Sequence, residues 1–194
     1  MNKYFSLTPR DNLVPNSYVA DQWDLKSMEP ELFLSGRNIS SWPNGVCLRS
    51  STMKMDGELD DFVVNNAMLP VVTPRLKALI ERMRTPTIQF FKILAYSSNG
   101  IPSDCYIANF CEHIPGLDLL HTKVFRHPKN HPDKKLRNAI QTMFRPTLVE
   151  SVVKEWDFLR LEEFPERLFA SSRFKREFNA FKMTGVSFSA TDLS

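Results

Sequence analysis

Apolar and polar positions along this chain are spaced in several distinct rhythms. Leu76, Leu79, Ile80 and Met83 recur three and four residues apart, which gives residues 74–83 one apolar face and leaves Arg75, Lys77, Glu81 and Arg82 nearer water. Thr73 supplies a hydroxyl for the unpaired amides of a first turn and Pro74 a residue preset for that turn, so the spacing predicts a helix. Pro86 stops it. The run TIQFFKILAYSSNGIPSDCYIANF then reads as two strands joined by a loop at Ser97, Ser98, Asn99 and Gly100. After the proline-marked HPKNHPD, the spacing of Leu136, Ile140 and Met143 predicts another helix over residues 134–144. TLVESVVKEWDFLRL suits either strand or helix, and its β-branched run favours a strand. In the first fifty residues Pro9, Pro15, Pro30 and Pro43 interrupt every pattern, which predicts short strands and loops.

The segment starting at Val71, VVTPRLKALIERMRTPTIQF, resembles FASSRFKREFNAFKMTGVSF, which starts at Phe169. The alignment is gapless. It matches Thr73 with Ser171, Arg75 with Arg173, Lys77 with Lys175, Ile80 with Phe178, Met83 with Phe181, Ile88 with Val186 and Phe90 with Phe188. Each copy reads strand, capped helix, turn, strand. A helix of about ten residues is marginal alone, so each must lay its apolar face on the sheet its flanking strands enter. The expected class is α+β, mainly antiparallel sheet with a few short amphipathic helices and two similar strand-helix-strand units. Gly185 falls where the second helix gives way to a strand, a place suited to positive φ. The shared Arg-x-Lys also suits plain surface charge.

With 194 residues and 42% hydrophobic content, the chain suffices for one sizeable core, and a single domain over residues 1–194 is expected, irregular over 1–60. The formal charge is +3, too small to imply nucleic acid by itself. MNKYFSLTPR lacks the apolar region of a secretory signal, and no stretch approaches membrane-spanning length, so a cytoplasmic protein with no membrane contact is expected. Cys47, Cys105 and Cys111 are odd in number and without paired spacing, which argues against a disulfide framework.

Zinc accepts thiolate and imidazole, and Cys105, Cys111, His113, His121, His127 and His131 offer both. His127 and His131 have H-x-x-x-H spacing, but Pro128 and Pro132 oppose the helix that spacing requires. No metal and no cofactor are expected. Neither G-x-G-x-x-G, a Walker loop, G-x-S-x-G nor H-E-x-x-H is present, and no catalytic residue is assigned.

Four motifs occur in order: LPVVTPRLKALIE, the strand CYIANF followed by Leu117 and Asp118, the Phe-rich FLRLEEFP, and LFASSRFKREFNAFKMTGVSF. Together they resemble the polymorphic-toxin immunity family of the myxobacterial type. The matching positions are Thr73 to Lys77, Tyr106 with Asn109, Phe158 with Arg160, and Thr184 to Phe188. Leu159 separates Phe158 from Arg160, and the basic insertion at residues 127–145 is longer than the family pattern. The resemblance implies a non-enzymatic bacterial immunity protein that binds and neutralises a cognate toxin, with no cofactor.

On that reading Asp56, Glu58, Asp60 and Asp61 are candidate partner-binding residues, since an acidic run steers encounter with the basic groove of a nuclease toxin. A solvated turn explains the same run. Lys129, Lys134, Lys135 and Arg137 support an alternative function as a nucleic-acid-associated regulator, although a solvated helix face explains them too. Trp23, Trp42 and Trp156 suit an interface or the core equally.

Overall fold

The computed structural model describes residues 3–9, 22–26, 28–49, 59–65, 67–97 and 100–194. β1 (Tyr4–Pro9) is followed by β2 (Gln22–Asp24), a 3-10 turn at Pro30–Leu34 and β3 (Cys47–Arg49). Then come β4 (Phe62–Val63), β5 (Val71–Val72), α1 (Pro74–Ile80), β6 (Ile88–Tyr96) and β7 (Pro102–Phe110). β8 (Lys123–Arg126), β9 (Ile140–Phe144), β10 (Thr147–Leu148) and α2 (Glu150–Val153) occupy the middle of the second half. β11 (Phe158–Arg160), β12 (Leu168–Ser171), α3 (Ser172–Ala180), β13 (Val186–Ala190) and β14 (Asp192–Leu193) complete it. The class is α+β.

Six strands form one sheet in the order β2-β3-β6-β7-β5-β4, and four form a second in the order β11-β12-β1-β13. β10 pairs with β14, and β8 with β9. In the larger sheet α1 carries the chain from β5 to β6, with β7 antiparallel to both and lying between them. In the smaller sheet α3 carries it from β12 to β13, with β1 in the corresponding place. Both are split β-α-β units, so the internal repeat is a structural one.

Its Arg-x-Lys has a role in each copy. Thr73 caps α1 by accepting from the Leu76 amide, and Ser171 caps α3 by accepting from that of Phe174. Asp61 accepts from the Thr73 hydroxyl at 2.9 Å and pairs with Arg75, while Asp157 accepts from the Ser171 hydroxyl at 2.8 Å and pairs with Arg173. Lys77 lies over Phe90 and Tyr106, and Lys175 lies over Phe188 and Phe5. Tyr106 and Phe5 are equivalent by register, opposite Val72 and Ala170.

The two units are also cross-linked. Asp61 accepts from the Thr184 amide beyond α3, and Asp157 accepts from the Arg84 amide beyond α1. The Phe62 amide donates to the Thr184 carbonyl, and the Asp157 amide to that of Arg84. Gly185 sits against this junction with φ of +101°, where a Cβ would stand 2.1 Å from the Phe62 carbonyl oxygen.

Both faces of both sheets are covered, which explains apolar runs without alternation. Phe62, Val72, Leu76, Phe110, Phe158 and Phe174 meet in a core shared by the two sheets, α1 and α3. Phe33, Leu48, Val71 and Ile107 pack on the far face of the six-stranded sheet. Tyr4, Leu148, Val153 and Phe169 pack on the far face of the four-stranded one.

Two expectations are corrected. Residues 134–144 are not a helix: Lys134–Leu136 is a 3-10 turn and Ile140–Phe144 is strand β9. Between Phe125 and Arg126 the pairing register shifts, with one extra residue on β9, so the buried Ile140 and Met143 stand three apart and imitate a helical face. TLVESVVKEWDFLRL is not one strand either. It divides into β10, α2 and β11, and the Tyr4 hydroxyl donates to the Val153 and Trp156 carbonyls between α2 and β11.

Gly185→Ala is expected to destabilise the chain by about 2–4 kcal/mol, from backbone overlap added to a strained φ. Urea unfolding measures this, and an unchanged midpoint would refute the close approach. Burial alone would raise the Asp157 carboxyl, but hydrogen bonds from Arg84 and Ser171 outweigh it and hold the group below its ordinary value of 3.8. Its contribution is therefore present above that unfolded value and lost as pH falls through the folded one. Asp157→Asn should cost about 2–3 kcal/mol at neutral pH and weaken the loss of stability below pH of about 4. Unfolding titrations of both proteins across that range provide the comparison.

Candidate functional site

The β8–β9 ribbon stands apart from the two large sheets and keeps one face exposed. Strand alternation turns Val124 and Met143 inward onto the core that Tyr4 and Phe169 share. Lys123, Phe125, Thr142 and Phe144 consequently point the other way. Phe125 and Phe144 are 47% and 55% exposed, and their rings meet edge to face at 5.7 Å. Lys123 lies over the Phe125 ring. At the base of the ribbon Leu119 and Leu120 are also exposed, on a turn whose Leu120 and His121 amides donate to the Asp118 carboxylate. Hydrogen bonds from His121 and Ser194 hold that carboxyl below the usual range.

The ribbon is anchored. Thr122 and Thr147, both buried, exchange hydrogen bonds, and the Asp118 amide donates to the Thr147 carbonyl. At the far end Arg126 donates to the Asn138 carbonyl and Arg137 to that of His131. Residues 119–145 hold seven of the 25 Lys and Arg but one of the 22 acidic residues, leaving 18 basic and 21 acidic residues elsewhere. The chain's basic surplus therefore belongs to this one segment, and the remainder is net acidic.

The acidic run has a different fate. Asp56 and Glu58 lie outside the described residues. Asp60 and Asp61 are buried, and Asp61 is engaged by Thr73, Arg75 and Thr184. As described, this pair presents no exposed carboxylate.

Other singled-out residues are structural. The Asn109 amide donates to the Arg37 carbonyl and to Gln89, whose own amide clasps Ile39, so the loop before β3 is fastened to β6 and β7. Trp42 stacks on Phe91 at 4.5 Å, and Trp23 packs into the same core. Trp156 packs beside Val153. The cysteines are free, and burial pushes the Cys105 thiol up to about 12. Among the described residues no three His, Cys, Asp or Glu side chains are grouped to hold a metal, and the His127 and His131 rings meet edge to face. Nor is any described helix long and apolar enough to cross a membrane.

Arg160 departs from this pattern. It is 1% exposed on β11, with its guanidinium over the Phe110 ring and Nη1 donating to the Phe33 carbonyl. Its buried Nε has no acceptor among the described residues. Burial pushes Arg160 down to about 10, and no described carboxylate opposes that shift. The nearby His113 is pushed down to about 4, by burial first and then by the Arg160 charge, and so is neutral at neutral pH.

Comparison with individual curated proteins gives no match. The model of the Immunity protein family (Imm11) matches residues 3–192. That span includes both split β-α-β units, the ribbon and Arg160, and the chain belongs to the Imm11 immunity protein family.

Proposed function

We propose that this protein neutralises a cognate toxin by direct binding, and that the β8–β9 ribbon is the surface that engages it. Family membership assigns the chain to toxin immunity. The observation that carries the finer reading is the exposed Phe125–Phe144 pair within a strongly basic segment. Aromatic side chains at the centre of a patch, ringed by charge, are the composition of binding hot spots. A cluster of seven Lys and Arg with a single Asp suits an acidic face on the toxin. An anchored two-stranded ribbon also holds such groups in place before encounter, which lowers the ordering cost of binding.

Neutralisation by such a surface needs no cofactor and no reaction at the immunity protein. The bacterial cytoplasm is the place where an antidote of this kind meets its toxin. The same Lys and Arg cluster beside exposed rings also suits single-stranded nucleic acid, which gives the second reading a concrete basis.

The test is co-expression with the toxin encoded immediately upstream. The unaltered chain should protect cells and co-purify with that toxin. Phe125→Ser combined with Phe144→Ser should weaken the complex by at least about 30-fold, as loss of a central hot spot does. Thermal stability should change little, because both side chains are already half exposed. Full protection by the double variant would overturn the ribbon assignment. Salt-sensitive retention on single-stranded DNA, with no toxin complex, would favour the nucleic-acid reading.

A further inference from the structure

Between β4 and the four-stranded sheet lies a cleft walled by Leu7, Phe62, Leu168 and Val186. Met68 and Glu166 line its exposed rim. Arg160 also belongs to the lining and is itself 1% exposed.

A guanidinium carries five N–H donors in a fixed planar fork. Here one nitrogen is committed to the Phe33 carbonyl, while the fully buried Nε has no acceptor among the described residues. Buried charges in folded chains are ordinarily paired, because removal from water costs several kcal/mol per ion unless a counter-charge offsets it. The Phe110 ring supplies part of that offset, and no described carboxylate supplies the rest. Asn65, the other interior polar group in the lining, is spent on its own loop: its amide donates to the Val63 and Leu69 carbonyls, and its oxygen accepts from the Leu69 amide. Among the described residues Arg160 is thus the one cation in a lining whose other interior groups are apolar or already satisfied.

We propose that this cleft binds a monocarboxylate with an apolar body, its carboxylate on the Arg160 guanidinium and its body against Leu7, Leu168 and Val186. A carboxylate matches the planar fork and brings a single charge. A phosphate brings about two at neutral pH. The second would find no cation in the lining and would pass Glu166 at the rim. Free acids and the C-terminal end of a peptide with an apolar last residue share this chemistry, and the arms of the experiment separate them.

Isothermal titration of the full chain is the measurement, with octanoate, 1-octanol, octyl phosphate and a pentapeptide ending in leucine, the last as acid and as amide. Octanoate or the peptide acid should bind one per chain, at least about tenfold more tightly than its neutral counterpart. Binding by octanoate identifies a free acid as the ligand form, and binding by the peptide acid alone identifies a chain end. Arg160→Met should abolish it. Met68→Glu, at an exposed position, should weaken it by about threefold or more through repulsion while leaving unfolding unchanged, so the cleft stays testable if the first variant does not fold. Absence of binding by either acid, equal binding of acid and neutral forms, tighter binding of octyl phosphate, or unaltered binding by folded Arg160→Met would each overturn the site. No toxin enters these titrations, so their outcome is separate from that of the co-expression assay.

Discussion

Two buried aspartates hold the framework together by working in both units at once. Asp61 fixes the start of α1 through Thr73 and the chain beyond α3 through Thr184. Asp157 fixes the start of α3 through Ser171 and the chain beyond α1 through Arg84. A carboxylate at a helix start satisfies hydroxyl and amide donors that the helix cannot. Sharing the same carboxylate with the opposite unit means that neither helix can shift without disturbing the other. Gly185 belongs to this constraint, because only a residue without Cβ lets the chain after α3 approach the Phe62 carbonyl.

That fixed centre separates stability from the surface assigned to recognition. The core shared by both sheets and the clasp at Asn109 use Leu76, Tyr106, Asn109, Phe158, Val186 and Phe188 of the family-like motifs, while the ribbon adds Val124, Ile140 and Met143 to a peripheral core. Its outward face contributes little to folding and is therefore free to vary with the partner. The charge distribution has the same division, with a basic ribbon on a body that is net acidic. Such a polarity orients encounter with an acidic face over roughly a Debye length. Arg160 joins the two themes, being as deeply buried as a core residue and yet leaving its Nε without an acceptor among the described residues.

Local sequence determined the parts whose energetics are local. The Thr73 and Ser171 caps, the α1 spacing, the long β6–β7 hairpin and the matching units all follow from side-chain period, turn residues and propensity, and so did the α+β class. The four ordered motifs identified the family that the comparison then showed. The strand before each repeated segment, β4 in one unit and β11 in the other, escaped the gapless repeat because Asp61 stands 12 residues before Thr73 and Asp157 stands 14 before Ser171. Those loops differ in length, and a fixed offset cannot cross them.

Tertiary structure decided the rest, because it rests on contacts between residues far apart in the chain. A bulge made Ile140 and Met143 look helical, and only pairing with β8 reveals a strand whose other face exposes Phe144. The acidic run looked solvated or partner-facing, yet Thr184, more than a hundred residues away, draws Asp61 inside. Nothing adjacent to Arg160 announces its isolation either. It arises where β11 carries the side chain into a core built from Phe33 and Phe110, and a linear pattern records the charge without recording what surrounds it.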